Sequence, residues 1–244
     1  MYLLEGRIRY SETDREGKLT LGALLDYFQD CATFHSEDLG LGIEYLKEKH
    51  LVWVLSTWQI VVERFPELCE HVTVGTFPYA FKGCFGYRNF FMKDAEGNYI
   101  AKANSLWTLL DRDSFKPAHL TDEMKQKYVP EEKLPMDYEG RKIQVPENGE
   151  FWENLVVEPR NLDTNQHVNN GQYVSMAMDF LPEGFQVSQL RAEYRKQALL
   201  HDVLRPYVAC EKGEDERETW VVSLQNEKGE IFVKVEFEGK GMTK

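Results

Sequence analysis

Three side chains with catalytic potential alternate within residues 161–174, NLDTNQHVNNGQYV. Asp163, Asn165 and His167 occupy every second position, and an apolar pattern typical of a helix follows them. If residues 163–167 are extended, the carboxylate, the amide and the imidazole project to one side of the chain. A carboxylate can orient an imidazole base, and an amide can donate to a developing oxyanion. This set of groups suits hydrolysis of an activated acyl group by water, with no cofactor.

The residues of the same stretch also allow other interpretations to be tested. A polar loop with a helix cap is open, because Asn169 and Asn170 are both good N-cap candidates. A calcium loop is excluded, since His167 replaces an oxygen ligand and Val168 replaces the required glycine. The interpretation as a zinc site has little support, because one histidine and one aspartate have no third ligand nearby. We therefore expect no metal and no cofactor.

The elements that must position this stretch occur twice along the chain. In the first half, apolar residues at helical spacing predict a helix over 21–35 with Thr20 as its cap, and a shorter helix over 43–50. Segments rich in β-branched and aromatic residues predict four strands, LVWVLSTWQIVVERF, HVTVGTFPYAF, CFGYRNFFMKD and NYIAKANSLWTLLD. The turn DAEGN makes the last two a hairpin.

The second half repeats this order of elements after a proline-rich and charged connector over 112–150. FWENLVVEPR predicts a strand, GQYVSMAMDFL a helix with Tyr173, Met176, Ala177 and Phe180 on one face, and four further strands follow. The fold class predicted is α+β, with two tandem units that each wrap an antiparallel sheet around a long helix. We expect units at 1–125 and 151–244, joined by a connector at 126–150.

Composition narrows the functional classes. The 244 residues are 42% hydrophobic and 29% charged, as in an ordinary soluble domain, and the formal net charge is −12. This charge argues against nucleic-acid binding, which needs a basic surface. The start of the chain lacks the pattern of a signal peptide and no apolar window is long enough to span a bilayer, so we expect a cytoplasmic protein that does not bind membranes. The four scattered cysteines are expected to be reduced thiols.

Several motifs together resemble one family. LDTNQHVNNGQYV is similar to the D-x-N-x-H-V-N-N-x-x-Y segment of acyl-ACP thioesterases, the plant and bacterial hydrolases of fatty acyl-[acyl carrier protein] (acyl-ACP). AEYRKQALLHDVL, KANSLWTLLDRDSFKP and LTLGALLDYFQDCATFHSEDLGLG resemble further segments of that family, in the same order. The resemblance implies a double hot-dog fold and hydrolysis of acyl-ACP to free fatty acid and ACP. It also implies an acyl-chain pocket in the first unit.

The resemblance implies roles for particular residues as well. Asp163, Asn165 and His167 occupy the family's catalytic loop, while Gln197 and Ala198 stand where plant members have Glu-Cys. Without that cysteine and that carboxylate, we expect His167, supported by Asp163, to activate water, and Gln197 to orient the water. Asn165 would stabilise the oxyanion. The corresponding loop of the first unit, residues 14–18, lacks both Asn and His, so one active site is expected.

The remaining expectations concern substrate contacts and competing functions. Aromatic side chains expected to contact the acyl chain are Phe28, Trp53, Trp58 and Trp107, and basic side chains expected to meet the acidic carrier are Arg191, Arg195 and Lys196. His35 is expected to be a packed histidine. An acyl-CoA thioesterase on the same fold and a non-catalytic acyl-binding protein are the competing functions. The expected partner is the acyl carrier protein, and a homodimer is left open.

Overall fold

The computed structural model describes residues 1–163, 165–213 and 216–241. The chain divides into two compact units, Met1–Ser56 with Val62–Tyr138, and Thr57–Val61 with Glu139–Lys244. The expected connector at 126–150 is thus shared between the units. Hydrogen bonds explain the division, because the Tyr138 hydroxyl donates to Asn89 Oδ1 in unit 1 (3.0 Å). In unit 2 the backbone N–H of Ile143 donates to Glu193 (3.0 Å).

Unit 1 is an antiparallel sheet with one long helix against it. Its elements are β1 (Tyr2–Arg7), α1 (Leu21–Asp38), α2 (Ile43–Glu48), β2 (Leu51–Val62, of which 51–56 lie in this unit), β3 (His71–Lys82), β4 (Phe85–Lys93), β5 (Tyr99–Asp111) and α3 (Asp122–Lys127). The strands pair in the order β1-β3-β4-β5, and β4 with β5 is the hairpin predicted from the turn DAEGN. Helix α1 packs against β3 and β1.

The long helix α1 begins as predicted and ends three residues later than predicted. The Thr20 hydroxyl accepts from the backbone N–H of Ala23 (3.2 Å), which satisfies one of the free donors at the helix start. Its apolar face is buried, and the ring centroid of Phe28 lies 5.4 Å from that of Phe90 on β4. The helix stops where Gly40 adopts a φ of 65°, a conformation in which glycine is favoured.

Unit 2 has the same plan with a shorter helix. Its elements are β6 (Glu150–Phe151), β7 (Leu155–Val156), α4 (Asn170–Met178), β8 (Gln186–Tyr194), β9 (Val203–Lys212), β10 (Arg217–Gln225) and β11 (Ile231–Lys240). Residues 57–61 of β2 pair with β8, and the order continues β8-β11-β10-β9. Helix α4 contacts β10 and β11.

Two predictions for unit 2 were wrong in detail. The strand predicted over FWENLVVEPR is two short strands, β6 and β7, followed by a 3-10 turn at Pro159–Asn161. Proline at the first position of that turn lacks the N–H that a continuing strand would use. The predicted helix over 171–181 ends at Met178, so Phe180 lies beyond it and packs its ring 5.6 Å from that of Trp152.

The fold class predicted from the sequence is confirmed, since each unit is an antiparallel sheet with a helix packed on it. All four cysteines are free thiols, as expected. Among the described residues, no helix combines the length and the apolar character required to cross a bilayer.

Candidate active site

The loop that carries Asp163, Asn165 and His167 is a tight turn. The backbone N–H of Asp163 donates to the carbonyl of His167 (2.8 Å), and that of Gln166 donates to the carbonyl of Asp163 (3.1 Å). Gln166 has a φ of 63°, a left-handed conformation that is unfavourable for a residue with a side chain. The expectation that residues 163–167 are extended was therefore wrong, and alternation in sequence does not place these side chains on one side.

Asp163 stabilises this turn through its carboxylate. Its Oδ1 accepts from the backbone N–H groups of Asn165 (2.8 Å) and His167 (3.3 Å). An aspartate that bonds the backbone two residues onward is a common stabiliser of turns. The expectation that Asp163 supports the imidazole is corrected accordingly, because its bonds are to the backbone of the turn and not to the ring.

Unit 1 contains the same turn without the Asn and His side chains that are the catalytic candidates in unit 2. Asp14 Oδ1 accepts from the backbone N–H groups of Glu16 (2.8 Å) and Lys18 (3.0 Å), and the N–H of Asp14 donates to the carbonyl of Lys18 (2.8 Å). Gly17, with a φ of 77°, stands where unit 2 has Gln166. The turn is therefore common to both units, and Asn165 and His167 distinguish the second copy.

His167 is half-buried, whereas Asn165 is exposed. The Nδ1 atom of His167 is buried and has no hydrogen-bond partner among the residues that the structure describes. No described side chain therefore fixes the tautomer of this imidazole from the Nδ1 side. Nε2 is therefore the candidate nitrogen for proton transfer.

The start of α4 holds the loop in place. Asn169 is the N-cap, and its side-chain oxygen accepts from the N–H of Gly171 (2.8 Å). The backbone N–H of Asn169 donates to the carbonyl of Asn161 (2.9 Å), which ties the helix start to the 3-10 turn. Because the N–H groups of a helix start carry partial positive charge, this end of α4 favours a developing negative charge beside His167.

The segment with Gln197 lies alongside this loop. The backbone N–H of Val168 donates to the carbonyl of Ala198 (3.1 Å), so the residue pairs 167–168 and 197–198 are adjacent. The N–H of Ala198 donates to the Tyr173 hydroxyl on α4 (2.8 Å). Gln197 is exposed beside the buried Ala198. The structure thus brings together all four candidate catalytic residues in unit 2.

Two tyrosines position this site, and the analysis of the sequence missed their role. Tyr173 anchors Ala198, and the Tyr194 hydroxyl donates to the carbonyl of Asn170 (3.0 Å). Burial, with smaller contributions from the Asp202 and Asp163 carboxylates, raises the pKa of Tyr173 to about 12, so it stays protonated. The motif itself points to Tyr173, because this residue is the motif's tyrosine. The sequence pattern, however, assigned Tyr173 only to the apolar face of the helix.

The candidate basic residues are all held by acidic neighbours. Arg191 Nη1 contacts Glu236 (2.6 Å), and its side chain is only 12% exposed. Arg195 pairs with Glu193 (2.8 Å) and Lys196 with Glu230 (2.8 Å). The exposed fractions of the Arg195 and Lys196 side chains are 43% and 49%, so these two remain accessible to a partner while Arg191 is largely enclosed.

Two of the four candidate aromatic residues line a cavity in unit 1. The cavity has a volume of about 150 Å³, and Trp53, Trp107 and Phe81 form much of its apolar wall. Phe28 is fully buried against Phe90, and Trp58, which is buried, belongs to unit 2; neither lines this cavity. A cavity of this size accommodates a benzene-sized apolar group.

No metal site is evident in the described part of the chain, where no group of three or more His, Cys, Asp and Glu side chains is arranged to hold an ion. His35, expected to be a packed residue, is buried on α1. It contacts Arg88, which the sequence analysis did not single out.

Comparison with known families gives two matches that together cover most of the chain. The model described as the acyl-ACP thioesterase N-terminal domain matches residues 2–128. The model described as the acyl-ACP thioesterase C-terminal domain matches residues 146–238.

Individual relatives are consistent with these matches. The chain is 25% identical over 219 residues to the chloroplastic oleoyl-acyl carrier protein thioesterase 2 of Arabidopsis thaliana, covering 81% of this chain and 59% of that protein. It is 26% identical over 225 residues to the chloroplastic acyl-[acyl-carrier-protein] hydrolase FATB3 of Cuphea viscosissima, covering 85% of this chain and 54% of that protein. The chain therefore spans little more than half the length of these curated relatives.

Solved structures share the fold. An acyl-ACP thioesterase from Bacteroides thetaiotaomicron superposes with a TM-score of 0.86 at 24% identity, covering 98% of this chain and 97% of that one. The 12:0-ACP thioesterase from Umbellularia californica gives a TM-score of 0.87 at 21% identity, covering 98% and 93%. These similarities establish the hot-dog architecture of the chain.

Proposed function

The chain belongs to the acyl-ACP thioesterase family, and on that premise we propose that it hydrolyses the thioester of fatty acyl-ACP to free fatty acid and ACP. The observation that carries the proposal is the loop of unit 2. There His167 and Asn165 sit in a turn held by Asp163, beside the N-terminus of α4 and next to Gln197. The copy of this turn in unit 1 lacks the two functional side chains, so we propose one active site per chain.

The proposed chemistry needs only water and these residues. Water attacks the thioester carbonyl while His167 Nε2 takes its proton, which gives a tetrahedral oxyanion. The Asn165 amide and the start of α4 stabilise that negative charge. The C–S bond then breaks, and the imidazolium returns the proton to the leaving thiolate of the carrier. Gln197 holds the water by hydrogen bonds but cannot accept its proton.

We assign the far end of the acyl chain to the cavity of unit 1, where Trp53 and Trp107 provide apolar walls. Arg195 and Lys196 are the proposed contacts of the acidic carrier, since their side chains are the exposed members of the basic set. The cytoplasmic location and a homodimer stay predictions.

The substrate class is tested by measuring thiol release from decanoyl-ACP and decanoyl-CoA under the same conditions. We expect kcat/KM to be higher for the ACP thioester, because only that substrate brings a protein surface to Arg195 and Lys196. Equal or higher kcat/KM for the CoA thioester would instead identify an acyl-CoA thioesterase.

One observation favours a second candidate, a protein that binds acyl groups without turnover. Position 197 carries Gln and position 198 carries Ala, so neither a carboxylate nor a thiol stands there. Binding of decanoyl-ACP without thiol release would support this candidate. In that case Gln197→Glu, which supplies a carboxylate beside His167-Val168, is expected to create measurable hydrolysis. In an active enzyme the same change is expected to shift only the pH profile.

A further inference from the structure

The wall of the cavity in unit 1 includes a buried, positively charged side chain. This residue is Arg88 on β4, which lines the cavity and is only 8% exposed. Arginine is almost never this deeply buried unless an acidic group is paired with it. The contacts of Arg88 therefore decide what the cavity is suited to bind.

In the part of the chain that the structure describes, Arg88 contacts neutral groups. Nη1 lies 2.9 Å from His35 Nδ1 and donates to Thr76 Oγ1 at 3.2 Å. The guanidinium carbon lies 5.9 Å from the ring centroid of Tyr128, a favourable cation–π distance. Among the described residues no carboxylate forms an ion pair with Arg88, and both hydrogen bonds leave from the same nitrogen, Nη1.

His35 does not offset the charge of Arg88. Burial, with a further contribution from the positive charge of Arg88, lowers the pKa of His35 to about 3, so the imidazole is neutral near pH 7. A neutral imidazole accepts the hydrogen bond from Arg88 at Nδ1 and carries its proton on Nε2. The pair therefore keeps one full positive charge.

The acidic side chain that lines the cavity has a hydrogen-bond partner of its own. Glu37 also lines the cavity, but its Oε1 accepts from the backbone N–H of Ile43 at the start of α2 (2.9 Å). The hydroxyls of Ser36 and Tyr128, which line the cavity too, bond to each other (2.9 Å). The lining thus combines polar and charged groups, Arg88 among them, with the apolar indole rings of Trp53 and Trp107.

We propose that Arg88 makes this cavity selective for an acyl chain that carries a carboxylate at its far end, the half-thioester of a dicarboxylic acid. A carboxylate matches the guanidinium in charge and in its paired acceptors, and inside an apolar cavity such a contact is stronger than in water. The methylenes of the chain would lie against the indole rings. This proposal rests on the proposed function, since it refines the acyl substrate of that site.

Binding can be measured without relying on hydrolysis. The 244-residue protein is titrated calorimetrically with decanamide, decanoate and the monoamide of decanedioic acid, in which the amide stands for the thioester. We expect the monoamide to bind at least ~10-fold more tightly than decanamide, the effect of one charged hydrogen bond. Equal affinities of the two amides for the wild-type protein would overturn the proposal.

Variants assign the effect to Arg88. Arg88→Met keeps a side chain of similar reach without the charge, and we expect it to bind both amides within ~2-fold of each other, a difference that is small beside one charged hydrogen bond. Arg88→Lys should retain a preference for the monoamide, and Lys212→Met, an exposed cation of unit 2, should leave the wild-type preference unchanged. A full preference in Arg88→Met would contradict the assignment, and the wild-type comparison stands even if that variant does not fold.

The decanoate titration shows whether the site prefers the carboxylate of a free fatty acid or the far-end carboxylate of an acyl chain. Tight binding of decanoate together with weak binding of the monoamide would mean that the site takes a free fatty acid, and would overturn the proposal. Loss of the proposed hydrolytic function is a separate result, because these affinities do not depend on turnover.

Discussion

The carboxylate of Asp163 accepts hydrogen bonds from the backbone N–H groups of Asn165 and His167. Its effect on catalysis should therefore come from the geometry of the turn. Asp163→Asn keeps an oxygen at the position of Oδ1, and we expect kcat for acyl-ACP within ~10-fold of the wild type. Asp163→Ala removes both bonds, and we expect a loss of ~10²-fold or more, the usual effect of displacing a general base.

Asp14 provides a matched control for the turn, since it accepts the same two backbone bonds in unit 1. Asp14→Ala should lower the free energy of unfolding by about 1–3 kcal/mol, as we also expect for Asp163→Ala, but leave kcat unchanged. If Asp163→Asn is as inactive as Asp163→Ala, the charge of Asp163 takes part in catalysis directly and the positioning role is insufficient.

His35 gives the molecule a measurable dependence on pH. Its pKa of about 3 in the folded protein lies below the ordinary value of 6.5, so the unfolded chain binds more protons between these two values. The free energy of unfolding should therefore fall as pH drops below 6.5, by about 2 kcal/mol between pH 7.5 and pH 5 from this residue. His35→Gln removes the titrating group and keeps an acceptor for Arg88, so urea unfolding of this variant should lack that loss. The same pH dependence in both proteins would contradict a neutral His35.

The candidate catalytic residues could be named from the sequence, but their contacts could not. One motif gave the candidates Asp163, Asn165 and His167, a second segment gave Gln197, and the structure places them on one loop and its neighbour. Alternation suggested an extended segment, however, because residue spacing carries no information on whether an aspartate bonds its own backbone. Arg88 was missed for a similar reason, since a single arginine within a strand pattern is most often exposed.

The N-cap of α4 joins the stability of the helix to the geometry of the site. Asn169 bonds the N–H of Gly171, and the next residue back, Val168, bonds Ala198. Asn169→Ala should cost about 1 kcal/mol of unfolding free energy and also lower kcat, because the helix start moves relative to His167.

Thr20→Ala in unit 1 is the matched control for this cap, since Thr20 caps α1 through the N–H of Ala23. It should cost a similar free energy in thermal or urea unfolding while leaving kcat unchanged. Equal losses of kcat in both variants would show that general destabilisation, and not the position of α4, limits activity.

Elements with strong periodicity were predicted well and irregular ones were not. The four strands of the first half and α1 agree with the structure within a few residues, because apolar spacing, caps and turns there all favour the same assignment. The prediction of one strand before Pro159 was wrong, because a proline and short polar runs interrupt the strand pairing that the valines favour. Residues 57–61 form part of unit 2, and no local pattern in β2 indicates that division.

The charge of the whole molecule sets a condition on carrier binding. The protein has a net charge of −12, so an acidic carrier must approach a locally basic region against general repulsion. Lys196→Glu should raise KM for acyl-ACP roughly threefold to tenfold, the effect of about 1 kcal/mol, and leave KM for a small thioester unchanged. Lys212, which also pairs with a glutamate on the surface of unit 2, is the control, and Lys212→Glu should change neither value. Equal effects of Lys196→Glu on both substrates would place the residue in the site and not on the carrier surface.

The central proposal, water activated at His167, is tested most directly by thiol release from acyl-ACP by the wild-type protein and by His167→Ala. Both proteins are assayed at saturating substrate, after thermal unfolding has shown that the variant is folded. We predict hydrolysis by the wild type and a loss of at least ~10²-fold in kcat in the variant, as expected when a general base is removed. A folded His167→Ala protein that releases thiol at the wild-type rate would contradict the proposal.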